Sequence, residues 1–102
     1  MLASFSVISV GTGEELKKII AEVVSIVEKS GLDYKLGAMQ TTLEGESQQV
    51  MDVIMRCHSH VLKTSPRVLT HIAIDDRRGA SGRLEGKVKD VENQLGKKLN
   101  HE

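Results

Sequence analysis

Aromatic side chains are almost absent from this chain of 102 residues, which has one Phe, one Tyr and no Trp. Phe5 and Tyr34 leave little on which bases could stack, or from which an aromatic cage around a cation could form. The 14 basic and 14 acidic residues cancel to a formal net charge of zero, so no overall field attracts a polyanion or an anionic membrane. The composition therefore predicts no nucleic-acid partner. Recognition must rest on hydrogen bonds and on aliphatic or thioether contacts.

Cysteine and long hydrophobic runs are also scarce. A single cysteine, Cys57, excludes an internal disulfide and suits a reducing compartment. No apolar run approaches the roughly 18 residues that a membrane-spanning helix needs, and no basic region precedes an apolar run at the N-terminus. We therefore predict a cytoplasmic protein without a membrane partner. The length predicts one domain over residues 1–102.

Apolar residues recur along the chain with the two periods of regular secondary structure, every second residue in strands and every third or fourth in helices. Thr12 and Glu15 form a capping box before the first helix, and Ser47 is predicted to cap the second. Met39 and Gln40 are predicted to form a tight reversal or a bulge. The predicted order is a strand over 2–10, a helix that begins after the Thr12 cap, carries the apolar positions from Leu16 to Val27 and stops at Gly31, strands over 34–38 and 41–44, a helix from 47 to before 66, a strand over 68–75 and a terminal helix carrying 84–99.

This order, βαββαβα, contains two helical crossovers and one hairpin. It predicts an α+β fold, the ferredoxin-like βαββαβ sandwich, with helices covering one face of a single sheet and an additional C-terminal helix. On the other face the alternation places small or polar residues, namely Ser4, Ser6, His71 and Ala73. Such a face suits a subunit interface containing a ligand pocket better than a dry core.

The stretch from Met39 to Gly45 places polar side chains where a hairpin is predicted. Polar groups on a strand need a protein partner, a ligand or water. Thr41, Thr42 and Ser6 fit two interpretations, as β-forming residues bonded to neighbouring backbone or as ligand contacts. Their clustering with Met39 and Gln40 favours a ligand-binding site.

Other residues suggest different chemistry. Cys57 and His60 have helical spacing for a metal, but they lack an obvious third ligand, so no metal site is predicted and Cys57 is interpreted as a small core residue. Asp75, Asp76 and Arg77 offer carboxylates and a guanidinium group on one loop. No catalytic residue is predicted, and a small hydrolase using this loop remains an alternative. A second alternative is a structural or regulatory assembly module without a small-molecule ligand.

Three segments resemble the small thiamine-binding protein family, which includes the YkoF-like proteins. The segments are Ser6-Val7-Ile8-Ser9-Val10-Gly11-Thr12-Gly13, Met39-Gln40-Thr41-Thr42-Leu43-Glu44-Gly45 and Ile72-Ala73-Ile74-Asp75-Asp76-Arg77-Arg78. The resemblance covers nearly the whole chain, and it implies a ferredoxin-like subunit that assembles through its sheets into dimers and commonly tetramers. Where the family often has proline after the first strand, this chain has Ser9 or Val10.

The resemblance also implies a function, the non-catalytic binding of thiamine or its hydroxymethylpyrimidine half for transport, storage or sensing. The ligand is then a small molecule and not a catalytic cofactor. Ser6 and Thr41 match the family's ligand contacts, and Met39 and Gln40 lie beside them in sequence. An aminopyrimidine presents a donor and acceptors on one edge, which hydroxyl and backbone groups can bind without a charged residue. We expect the pyrimidine to be held more specifically than the thiazolium.

Strand alternation raises a question about this site. Thr41 falls on the same side as Leu43, whereas Ser6 faces away from Phe5 and Val7. The two hydroxyls are therefore predicted on different faces of the sheet. A bulge in the segment before Thr41 would bring them together, because one extra residue inverts the side-chain parity.

Overall fold

The computed structural model describes residues 1–11 and 16–79. Within these ranges the elements, in chain order, are β1 (Leu2–Val10), α1 (Leu16–Lys29), β2 (Asp33–Leu36), β3 (Thr41–Glu44), α2 (Ser47–Leu62) and β4 (Arg67–Asp75). The predicted capping pair Thr12 and Glu15 and the predicted terminal helix lie outside the described residues. Neither described helix has the length and apolar composition needed to span a bilayer.

The strands form one antiparallel sheet in the order β2-β3-β1-β4. Helix α1 connects β1 to β2 across β3, and α2 connects β3 to β4 across β1. Two interleaved crossovers of this kind, with one hairpin between them, define the ferredoxin-like α+β sandwich. The fold predicted from the order of the elements is confirmed.

The core lies between the helices and one face of the sheet. Alternate residues of β1 supply Ala3 and Phe5, which are 1% and 2% exposed. On the opposite face, Ser4 pairs with Ala73 and Ser6 with His71 across β1 and β4, as the alternation predicts. The buried residues that pack together are Ala3, Phe5, Val27, Leu43, Val50, Val53, Ile54 and Cys57.

Helix α1 ends because Gly31 adopts φ of +78°, a left-handed conformation that residues with a Cβ rarely adopt. The prediction for the start of α2 is wrong. Its N-cap is Glu46, which has extended backbone angles and whose carboxylate accepts a hydrogen bond from the Gln48 N–H at 3.3 Å. Ser47 is already the first helical residue, so its hydroxyl does not cap the helix.

Three boundaries in the sheet also differ from the prediction, and the first is the start of β2 at Asp33, one residue early. Strand β2 ends at Leu36, two residues earlier than expected, because the Gly37 N–H donates to the Gln40 carbonyl at 2.8 Å and closes a tight reversal. Met39 and Gln40 were predicted to form either a tight reversal or a bulge. They form the reversal. Strand β4 begins at Arg67, one residue early.

Candidate functional site

A cavity opens where two neighbouring strands differ in length. Strand β1 has nine residues and pairs with β4 along all of them. Strand β3 has four residues and pairs with β1 only as far as Phe5, which lies opposite Thr41. From Ser6 onward, no other described strand pairs with this edge of β1. The gap between β1, α1 and the reversal before β3 has a volume of about 220 Å³.

The wall of the cavity is apolar and uncharged. Helix α1 supplies one side of it, with Leu16 and Ile20 exposed at 51% and 53% beside the opening. No acidic or basic side chain is found among the described residues that line it. The lining residues are Phe5, Ser6, Val7, Ile8, Leu16, Ile19, Ile20, Val23, Val24, Gly37, Ala38, Met39, Gln40 and Thr41.

The structure brings the four predicted site residues to this one cavity. Ser6 and Thr41 are half-buried, and Gln40 is exposed. Met39 is 86% exposed, although its side chain is apolar. Thr41 places a hydroxyl on the helix side of the sheet at the cavity, and Gln40 and Met39 bring an amide and a thioether to its rim. Their role in ligand binding stays a prediction.

Ser6 and Thr41 lie on different faces of the sheet, and no bulge brings their side chains to the same face. Thr41 pairs with Phe5 in a regular ladder and so faces the helices, whereas Ser6 pairs with His71 and faces the other way. The bulge hypothesis is therefore wrong, since no residue is inserted in the ladder. The two residues border the same opening because β3 begins at Thr41 and leaves the next residue of β1 without a neighbour.

The hydroxyls of Ser6 and Thr41 differ from two others in the sheet. Ser9 Oγ lies 2.7 Å from Ser65 Oγ, and Thr70 Oγ1 lies 2.7 Å from His58 Nδ1. For Ser6 and Thr41, residues 1–11 and 16–79 supply no side-chain hydrogen bond of this kind. Both hydroxyls can therefore donate to or accept from a bound molecule.

The contribution of α1 to the site was not predicted. Leu16 and Ile20 belong to the apolar stripe of this helix, yet both are more than half exposed. Helical periodicity alone does not distinguish them from Ile19 and Val27, the buried residues of the same helix. The exposure of Leu16 and Ile20 follows because β3 is too short to lie beneath them.

Cys57 is fully buried, as predicted for a small core residue. Its Sγ lies 3.9 Å from the Val23 carbonyl oxygen, to which the thiol donates. Desolvation by burial raises the pKa of the thiol to about 11, although the charge of Arg56 acts in the opposite direction. The thiol is protonated at neutral pH, so Cys57 cannot act as a nucleophile there.

The other residues considered for metal binding or catalysis lie away from the cavity. His60 Nε2 contacts Glu22 Oε2 at 2.6 Å and joins α2 to α1. Within 1–11 and 16–79, no three His, Cys, Asp or Glu residues are grouped as metal ligands. Asp76 lies 3.8 Å from the N-terminal ammonium group. Neither it nor its loop neighbours Asp75 and Arg77 line the cavity.

A family model described as thiamine-binding protein matches residues 3–92. The chain belongs to the thiamine-binding protein family. Among relatives in this family, a UPF0045 protein of Mycobacterium bovis is 36% identical over 96 residues, covering 93% of this chain and 94% of the relative. A UPF0045 protein of Staphylococcus xylosus is 38% identical over 95 residues, covering 87% of this chain and 89% of the relative.

Solved structures of other proteins share the fold of this thiamine-binding family protein. A hypothetical protein of Methanocaldococcus jannaschii superposes with a TM-score of 0.81 at 29% identity, over 88% of this chain and 93% of that one. A Thermotoga maritima protein, provisionally described as a thiamine biosynthesis/salvage protein, superposes with a TM-score of 0.77 at 23% identity, over 88% of this chain and 96% of that one. At that identity the second likeness concerns the fold alone.

Proposed function

We propose that this protein binds thiamine or its hydroxymethylpyrimidine half without turning it over, for transport, storage or sensing. The observation that carries the proposal is the uncharged cavity of about 220 Å³, which Ser6 and Thr41 both line. Membership of the thiamine-binding protein family supports the choice of ligand. The provisional description of the Thermotoga neighbour agrees with it.

The size and polarity of the cavity favour the pyrimidine as the part that enters it. Pockets for drug-sized ligands usually have volumes of about 300–1,000 Å³, and this cavity, at about 220 Å³, is smaller. One ring therefore fits inside more readily than two. The thiazolium of thiamine would lie at the rim, where the thioether of Met39 offers a polarisable contact.

Direct titration tests the ligand. Isothermal calorimetry with thiamine and, separately, with hydroxymethylpyrimidine is expected to give heat for both, with dissociation constants within about tenfold because the pyrimidine supplies most of the contacts. The midpoint of thermal unfolding should rise with each ligand, because both bind the folded state. If neither compound gives heat or raises the unfolding midpoint at millimolar concentration, the assignment is wrong.

Replacing Thr41 by valine tests the site, with Thr42→Val as the matched control. Valine preserves shape and removes the hydroxyl. Thr41 lines the cavity, whereas Thr42 pairs with Ser4 on the opposite face and does not. We expect Thr41→Val to weaken hydroxymethylpyrimidine binding about tenfold and Thr42→Val by less than about twofold, measured by calorimetry. Equal effects of the two substitutions would contradict the assignment of Thr41.

Self-association through the sheet is the second part of the proposal. On the face away from the helices, Ile8 and Leu69 pair across β1 and β4 and are 44% and 38% exposed. Further along the same face, the pair Ser4 and Ala73 has small side chains, so two sheets could approach closely there. We propose that the protein is cytoplasmic, and we expect analytical ultracentrifugation to show a dimer or a tetramer. Ile8→Glu should shift the oligomer toward the monomer, since association would then bury an unpaired charge.

The exposed apolar pair on the sheet also supports a second candidate function, an assembly module without a small-molecule ligand. In that case Ser6→Ala and Thr41→Ala would change the stability of the oligomer and leave no ligand binding to lose. Sedimentation and calorimetry on the same variants separate the two functions. Loss of ligand heat with an unchanged oligomer supports the binding protein.

A further inference from the structure

The direction of the main-chain groups in β1 follows from two hydrogen bonds at its start. The Met1 ammonium donates to the Gly45 carbonyl at 2.9 Å, and the Gly45 N–H donates to the Met1 carbonyl at 3.1 Å. In an antiparallel ladder such hydrogen-bonded pairs recur at every second residue. Four residues along, Phe5 and Thr41 are therefore also a hydrogen-bonded pair. The odd-numbered residues of β1 direct their N–H and C=O toward β3.

The β2–β3 hairpin gives the same result independently. The Gly37 N–H bonds to the Gln40 carbonyl, so the next hydrogen-bonded pair of that ladder is Lys35 with Thr42. The main-chain groups of Thr42 thus point to β2. Those of Thr41, one residue away, point to β1.

Val7 is the next odd-numbered residue of β1, and β3 does not reach it. Its partner in a continued ladder would be Met39, which lies in the reversal. On the other side of β1 the ladder to β4 uses the even-numbered residues, including Ser6 and Ile8. Val7 lines the cavity. Its N–H and C=O therefore point into the cavity and have no strand partner among the described residues.

We propose that the main chain of Val7 determines the ligand specificity of this cavity. Its N–H donates to a ring nitrogen of the ligand, and its C=O accepts from an adjacent amino group. The ligand thereby continues the β1 ladder where β3 stops. The chemical class is a planar nitrogen heterocycle with an amino group beside a ring nitrogen. This inference rests on the proposed function, because it concerns recognition within the same cavity.

The proposal predicts discrimination by a single functional group. A heterocycle without the amino group displaces water from the Val7 carbonyl and leaves it without a hydrogen-bond donor, which costs free energy. We expect wild-type protein to bind hydroxymethylpyrimidine at least about tenfold more tightly than its analogue in which hydrogen replaces the amino group. Equal affinities would overturn the proposal, even though the cavity would still be a binding site.

Amide hydrogen exchange reports on Val7 directly, with and without a ligand. In the free protein the Val7 N–H should exchange faster than those of Phe5 and Ser6, which have strand partners. Saturation with hydroxymethylpyrimidine should slow its exchange at least about tenfold. A Val7 N–H as protected as that of Phe5 in the free protein would refute the geometry. An amide that does not respond to bound ligand would refute the contact.

Substitution by proline removes the same donor. Proline is tolerated in a sheet where the replaced N–H is outside the ladder, as it is at Val7, and Val7→Ala keeps the N–H as a control. Val7→Pro should weaken hydroxymethylpyrimidine binding at least about tenfold and Val7→Ala about threefold or less. If the proline variant does not fold, hydrogen exchange on the wild-type protein tests the role of Val7 instead. Calorimetry with wild-type protein distinguishes the two proposals. If hydroxymethylpyrimidine does not bind at all, the proposed function is rejected; if it binds and the Val7 amide does not respond, only the role of Val7 is rejected.

Discussion

Replacing Phe5 by alanine is expected to lower the free energy of unfolding by about 3–5 kcal/mol. Phe5 is 2% exposed and joins β1 to the buried side chains of both helices. Small domains have a total stability of about 5–15 kcal/mol, so the loss is a large fraction of it. Urea unfolding followed by circular dichroism measures the change as a lower midpoint with a similar slope.

Met39→Ala is the matched control for this substitution. Both side chains line the cavity, but Met39 is 86% exposed and buries little apolar surface. We expect its truncation to change the free energy of unfolding by less than about 0.5 kcal/mol. A cost below about 1 kcal/mol for Phe5→Ala would show that Phe5 is not a central part of the core.

Raising the pH through the titration of Cys57 is expected to destabilise the protein by about 2–3 kcal/mol in total. Burial raises the pKa of this thiol in the folded state from 9.0 to about 11. The unfolded chain therefore loses the proton first, above pH 9, while the folded protein keeps it. The stabilisation is complete below pH 9 and is lost as the pH rises through 11. Urea unfolding at a series of pH values measures it.

Cys57→Ala is the control for the alkaline transition. The variant is less stable at all pH values because the side chain is fully buried, but it lacks the thiol. All other side chains are the same in the two proteins, so only the difference between the two pH profiles belongs to Cys57. Parallel profiles from pH 8 to 11 would exclude the thiol as the cause. Slow alkylation of the native wild-type thiol near neutral pH is a further expectation.

Sequence periodicity was sufficient for the bounds of some elements. Leu2–Val10 and Thr41–Glu44 match the prediction because side-chain alternation across a half-buried sheet is a local property. The cap of α2 was not predictable in the same way. Glu46 and Ser47 both carry side-chain oxygens, and the backbone angles at Glu46 decide which one caps the helix.

The side chains of the candidate site could be named from the sequence, but their arrangement could not. Ser6 and Thr41 are polar residues in strand contexts, and the resemblance to the thiamine-binding proteins pointed to both. The α1 wall and the Val7 main chain gave no comparable signal. A backbone group becomes available only when the neighbouring strand stops, and strand register depends on pairs distant in sequence.

The sequence by itself determined the order of the described strands and helices, the two faces of β1 and the resemblance to the thiamine-binding protein family. Each of these depends on periodicity or on residue identity within short segments. Only the tertiary structure decided that there is a cavity and what borders it. β1 continues beyond Phe5 beside β4, while β3 begins opposite Phe5 at Thr41. The physical reason is that the Gly37–Gln40 hydrogen bond closes the reversal there and leaves an edge of β1 open under α1.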